Sequence, residues 1–144
     1  MAGRVRAASD DGSITPLAVG FATIALALIL LAALVTDVWL AHRKLFALAD
    51  SAALAAAESF DPVPGEQPAI LLTDDGVTAA ARAYIEAVGM PEGLWPLRVE
   101  GASPDGRSAE VTLTVAYSPA LLSPFADSVT TLEARALVRG GLRL

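Results

Sequence analysis

The chain has 144 residues, 54% of them hydrophobic, and a net charge of −6. That acidic balance, with no basic patch set against it, excludes general nucleic-acid binding. The absence of cysteine excludes disulfides and thiolate metal sites.

Met1 to Gly12 is polar and built from small residues, and a leader of this kind, residues 1–14, is expected to lack structure. From Thr15 to Thr36 the chain carries no charge. Thr15 suits a helix cap and Pro16 suits the first helical position, where its missing N–H costs nothing. A helix from Pro16 to Val35 spans about 30 Å, the thickness of a bilayer's hydrocarbon core. Residues 15–36 are therefore read as a transmembrane helix. A secretory signal is the competing reading, but its apolar region is shorter and ends in small residues that this run lacks. Arg4 and Arg6 stand before the run and Arg43 and Lys44 after it, so counting positive charges leaves the orientation open.

Residues 37–59 continue without Gly or Pro and are rich in the best helix formers. Pro16 to Ser59 is thus expected to be one helix, with Trp39 at the membrane interface. Ala49, Ala53 and Ala57 recur every fourth residue and form a smooth stripe open to close approach. Asp50 has Phe46, Ala47, Ala53 and Leu54 three and four positions away, all apolar. Its carboxylate has two readings. It accepts hydrogen bonds within its own chain or stays at the solvent edge, or it pairs with an arginine on a neighbouring subunit, where an unpaired charge would cost several kcal/mol. Asp37 marks the end of the apolar run.

Residues 60–144 read as a small domain. Phe60 to Pro68 ends the long helix with three prolines and a glycine. A second helix starts near Thr73 to Asp75, shows an apolar face of Val77, Ala80, Ala81, Tyr84, Ile85 and Val88, and stops at Gly89 and Pro91. The period then changes to two: Trp95, Leu97 and Val99 point one way. Ser103 to Gly106 is a turn, and Ala109 to Tyr117 alternates as a strand. After a Pro-bounded loop, Leu132 to Arg139 alternates again. Three antiparallel strands with one apolar face need a helical cover. The expected fold class is α+β: a transmembrane helix extended into a long Ala-rich helix, packed with a second helix on a small antiparallel sheet.

Little here supports catalysis. His42 is the only histidine and Lys44 the only lysine, and both lie beside the membrane. The adjacent acids Asp10-Asp11 and Asp74-Asp75 suit a leader and a helix start better than two-carboxylate chemistry. No phosphate loop or dinucleotide fingerprint is present. No enzyme activity, metal or cofactor is expected.

Gly12-Ser13, one apolar span, Asp37 at its end, and Ala49-Asp50 followed by Ala52-Ala53-Leu54-Ala55-Ala56-Ala57 form a pattern. It resembles the N-terminal segment of the Tad (tight adherence) Flp pilus-assembly proteins, the TadE/TadG-like group, over residues 12–59. The resemblance implies a non-enzymatic minor pilin or pseudopilin-like component with a pilin-like architecture. It further implies a single pass through the bacterial cytoplasmic membrane, the N-terminus in the cytoplasm and the domain outside. Partners are then membrane lipid and other pilus-assembly subunits in a hetero-oligomer, with Asp37, Ala49, Asp50, Ala53 and Ala57 as assembly contacts. Gly12 would be the processing site, yet Leu17 stands where prepilins of this system carry glutamate. An uncleaved assembly factor fits that departure better than a filament subunit. The alternative is a membrane-tethered binding or accessory module unrelated to pili.

Overall fold

The computed structural model describes residues 14–59, 71–122 and 129–140. The leader through Ser13, with its candidate processing residue Gly12, lies outside the described residues, as do the Phe60 to Pro68 breaker and positions 123–128 of the Pro-bounded loop. Five elements follow in order: α1 (Ile14–Glu58), α2 (Asp74–Val88), β1 (Leu97–Ala102), β2 (Ser108–Tyr117) and β3 (Thr130–Arg139). The fold is α+β. The chain divides into two units, Met1–Thr36 and Asp37–Leu144.

In the first unit α1 is already under way at Ile14, so Thr15 lies inside the helix and does not cap it. Pro16 still falls among the first four residues, where an N–H has no partner within the helix. No residue from 14 to 36 is buried, and the run is long and apolar enough to cross a membrane. Its polar side chains are quiet. Thr23 donates to the Val19 carbonyl at 2.9 Å and Thr36 to the Ala32 carbonyl at 2.8 Å, so neither hydroxyl demands water.

The second unit builds its core from alternation on the strands and three-four spacing on the helices. The strands form an antiparallel meander ordered β1-β2-β3. Val99 pairs with Leu113 and Leu113 with Ala134; Gly101 pairs with Val111 and Val111 with Ala136. These columns put the buried apolar residues of all three strands on one face. Helix α1 adds Ala41, Leu45, Leu48, Ala49, Ala52, Ala53, Ala56 and Ala57 to the same core, and α2 adds Val77, Ala81 and Ile85. The opposite sheet face is polar, with Arg135 on β3 paired to Glu110 on β2.

Local signals set the element ends. Thr73 caps α2, its hydroxyl accepting from Gly76 N at 3.2 Å, and Asp74 and Asp75 lie in the first turn, where the helix dipole favours them. Gly89 ends the helix at φ +84° and donates to the Ile85 carbonyl. In the β1–β2 turn, Asp105 Oδ1 accepts from Arg107 N at 2.9 Å and Ser108 N at 2.6 Å. These donors, led by Arg107, hold the Asp105 carboxyl below its ordinary pKa.

Two expectations are corrected. Trp95 does not join the inward face of β1. The strand starts at Leu97, after Pro96, which has no N–H for a ladder, and Trp95 is 70% exposed. Val88 is exposed as well, because it closes α2 where the helix runs out past the sheet-facing Ile85.

Helix α2 also closes the outer edge of β1. Thr78 Oγ1 accepts from Gly101 N at 3.0 Å and donates to the Gly101 carbonyl at 3.3 Å. Arg82 reaches the Val99 carbonyl at 3.4 Å, and Asp74 Oδ1 accepts from Ser103 N at 2.6 Å. An edge strand covered in this way is a poor template for unwanted pairing.

Candidate functional site

The C-terminal half of α1 carries every residue singled out for assembly: Asp37, Ala49, Asp50, Ala53 and Ala57. Its two faces differ sharply. Ala49, Ala53 and Ala57 lie on the inner face and are buried in the core of their own domain. The small faces that the sequence offers to another element are therefore covered within this chain's own core. The surface free for another molecule is the outer face.

On that outer face Phe46, Asp50 and Leu54 follow one another at four-residue spacing, all exposed. About half the surface of Phe46 and of Leu54 remains open to solvent. Asp50 has no hydrogen bond or ion pair among the described residues. Seven residues earlier Arg43 stacks on Trp39, with its guanidinium 5.3 Å from the ring centroid, so that cation is engaged elsewhere. The outcome is an apolar ridge with one free carboxylate at its centre.

Asp37 is placed quite differently. Thirteen residues at about 100° each put it nearly opposite Asp50 around the helix. It is half-buried and lines one small cavity together with Tyr117 at the end of β2. The Oδ2 atom is buried with no hydrogen-bond partner among the described residues. Burial first, and then the neighbouring Asp37 carboxylate, push the Tyr117 pKa above its ordinary value of 10.0. Leu40, Ala41, Lys44, Glu92 and Leu94 complete a cavity of about 40 Å³ around the pair. His42, expected at the headgroups, instead reaches β3, its Nε2 lying 3.1 Å from the Glu133 carbonyl and donating to it. Tyr117 as the partner of Asp37 was not legible in the sequence, where it only closes an alternating strand.

A larger groove of about 430 Å³ opens between the end of α2 and the start of β1, lined by Arg82, Ile85, Met90, Trp95, Leu97 and Val99 among others. Among the described residues no group of three or more His, Cys, Asp or Glu is placed to hold a metal ion.

The class that these features define is an α+β protein with an N-terminal helix fit for a membrane and a domain built directly on its continuation. Within that class, residues 12–59 match the Tad family model, described as putative Flp pilus-assembly TadE/G-like. The match covers one third of the chain and contains Gly12, Asp37, Asp50 and the three alanines. No curated protein and no solved structure matches the chain significantly.

Proposed function

We propose that this chain is a non-enzymatic assembly component of a Tad/Flp-type pilus or secretion system, minor pilin-like or pseudopilin-like. It is held by a single pass in the bacterial cytoplasmic membrane, N-terminus inside and domain outside. The Tad match supplies the machinery, and the apolar run of α1 supplies the anchor. The observation that carries the reading is the outer ridge of α1, where exposed Phe46 and Leu54 flank an Asp50 that has no partner among the described residues. A partner that covers the ridge and brings an arginine to Asp50 gains apolar burial and a charge-assisted hydrogen bond. Ala49, Ala53 and Ala57 contribute indirectly, by holding α1 against the sheet so that the ridge is rigid. Asp37 contributes in the same way from the membrane end, by tying α1 to β2. Leu17 in the place of the prepilin glutamate supports a component that keeps its leader, so Gly12 is not a required cut.

The chain lacks cysteine, so a single cysteine at Leu54 gives one addressable site. In native membranes, Leu54→Cys treated with a short bifunctional thiol–amine reagent should yield adducts with other envelope subunits. Asp50→Ala should lower the recovered complexes about tenfold, which corresponds to roughly 1.4 kcal/mol. Recovery of the monomer alone under conditions that crosslink neighbouring machinery would refute assembly through this ridge. The second reading, a membrane-tethered binding module, has the α2–β1 groove on its side. It predicts a Leu54→Cys profile without subunit adducts.

A further inference from the structure

The end of the second unit that begins at Asp37 exposes several large apolar side chains, with the exposed carboxylate of Glu92 among them. Asp37, the first residue of that unit, is one peptide bond from the apolar stretch. It shares a small cavity with Tyr117, Glu92 and Leu94. A Cβ on Gly93 would lie 3.9 Å from the Tyr117 ring, so the α2–β1 loop passes directly beside it. Trp95 is the next residue after buried Leu94, and it is 70% exposed. Met90 on the same loop is 42% exposed and Val88 at the end of α2 is 60% exposed. Tyr117 pairs with Thr130, so the β2–β3 connection emerges at this end too, and it presents Leu121 and Val129 to solvent.

We infer that this end of the domain rests on the lipid headgroup layer, with Trp95 and Met90 inserted at the level of the upper acyl carbons. The inference rests on the anchored reading proposed above. A lipid surface is the occupant that the placement favours. A residue joined by one bond to a membrane-crossing segment stays within a few ångströms of the interface, whichever way that segment tilts. The residues exposed around it are of the kind that interfaces hold: a tryptophan with an apolar body and a polar edge, a flexible methionine, and aliphatic side chains. Two attachments, the span and this rim, then fix the domain's attitude to the bilayer, and with it the direction in which the Phe46–Asp50–Leu54 ridge faces its partners.

The chain has two tryptophans, so each can be read alone. The full-length Trp39→Phe protein, which keeps only Trp95, is reconstituted into vesicles of equal parts phosphatidylcholine and phosphatidylglycerol, with bromine on shallow acyl carbons of the phosphatidylcholine. The expected result is loss of Trp95 emission to the brominated lipid and protection from iodide in the bulk. Met90→Asp added to that variant should restore emission and iodide access. The companion Trp95→Phe protein reports Trp39 and serves as the anchor control. If Trp39 is quenched by bromine and Trp95 is open to iodide, the anchor stands and the docking inference fails. If Trp95 is shielded from both quenchers, a protein surface covers the rim, and the inference fails in favour of a subunit contact. If the protein does not float with the vesicles at all, the anchored reading itself fails and takes this one with it.

Discussion

Tyr117 is buried beside Asp37, and both the burial and the adjacent negative charge oppose loss of its proton. Above pH 10.0, the ordinary value, the unfolded chain sheds that proton while the folded chain retains it. The folded state then binds more protons, so stability falls as pH rises from there through the raised pKa, and below that window the contribution is constant. Tyr117→Phe should abolish this alkaline slope, read as the shift in urea midpoint between about pH 9 and about pH 11. A wild-type midpoint that does not move more than the variant's would show that the pair does not couple to folding. Asp50 behaves as the opposite kind of carboxylate. It faces solvent without a partner among the described residues, so Asp50→Ala should change the stability of the isolated protein by no more than about 0.5 kcal/mol while weakening assembly. A drop in thermal midpoint equal to that of a core substitution would mean that Asp50 serves its own fold.

At the scale of elements, helix-to-sheet distance is set by small residues. A Cβ on Gly101 would come within 2.5 Å of the Thr78 backbone nitrogen and 2.9 Å of its Cα, and backbone cannot rotate away. Gly101→Ala should therefore push α2 off β1, break the Thr78 bonds to the strand edge and destabilise by about 1 to 3 kcal/mol. Denaturant unfolding checks it, with Ala102→Gly, one residue along and outside that contact, as the comparison. Ala53→Leu tests the α1 side. Ala53 is wholly buried, and three added carbons should cost about 1 to 3 kcal/mol through overpacking; a neutral result would place the stripe at a looser seam than its burial implies. These contacts also explain what the chain discloses before it folds. The Ala spacing, the Thr73 cap, the Gly89 stop, the Ser103 to Gly106 turn and the alternation of β2 are local, and each is readable from a few consecutive residues. Which object the alanine stripe meets is a tertiary fact: a smooth helical face looks the same whether its partner is its own sheet or another subunit. Likewise Trp95 continues the period of β1 on paper, and only Pro96 hints that the strand starts after it. The Asp37–Tyr117 pair joins residues eighty positions apart and has no local trace at all.

For the molecule as a whole, everything depends on whether the apolar run of α1 is lipid-soluble by a wide margin or a narrow one. Eleven Leu, Ile, Val and Phe residues lie between Pro16 and Val35. Each favours insertion by roughly 0.3 to 0.6 kcal/mol, so together they supply about 3 to 7 kcal/mol, less what Pro16, Gly20 and the threonines subtract. A single arginine near the centre of a span costs about 2.5 to 3.5 kcal/mol on the same scale, and the leucine it replaces is lost besides. Leu28→Arg should thus leave a measurable but reduced fraction in carbonate-washed membranes, and Ile24→Arg with Leu28→Arg should exhaust the margin and release the chain. The domain from Asp37 onward keeps its own core in both variants, because none of its buried residues comes from the run. Released protein should therefore show the wild-type Tyr117 alkaline transition, while losing adducts from Leu54→Cys for want of a membrane to share with its partners. If the doubly substituted chain stays in the washed membranes, the domain's own rim or its partners hold it there, and the span is not its main anchor.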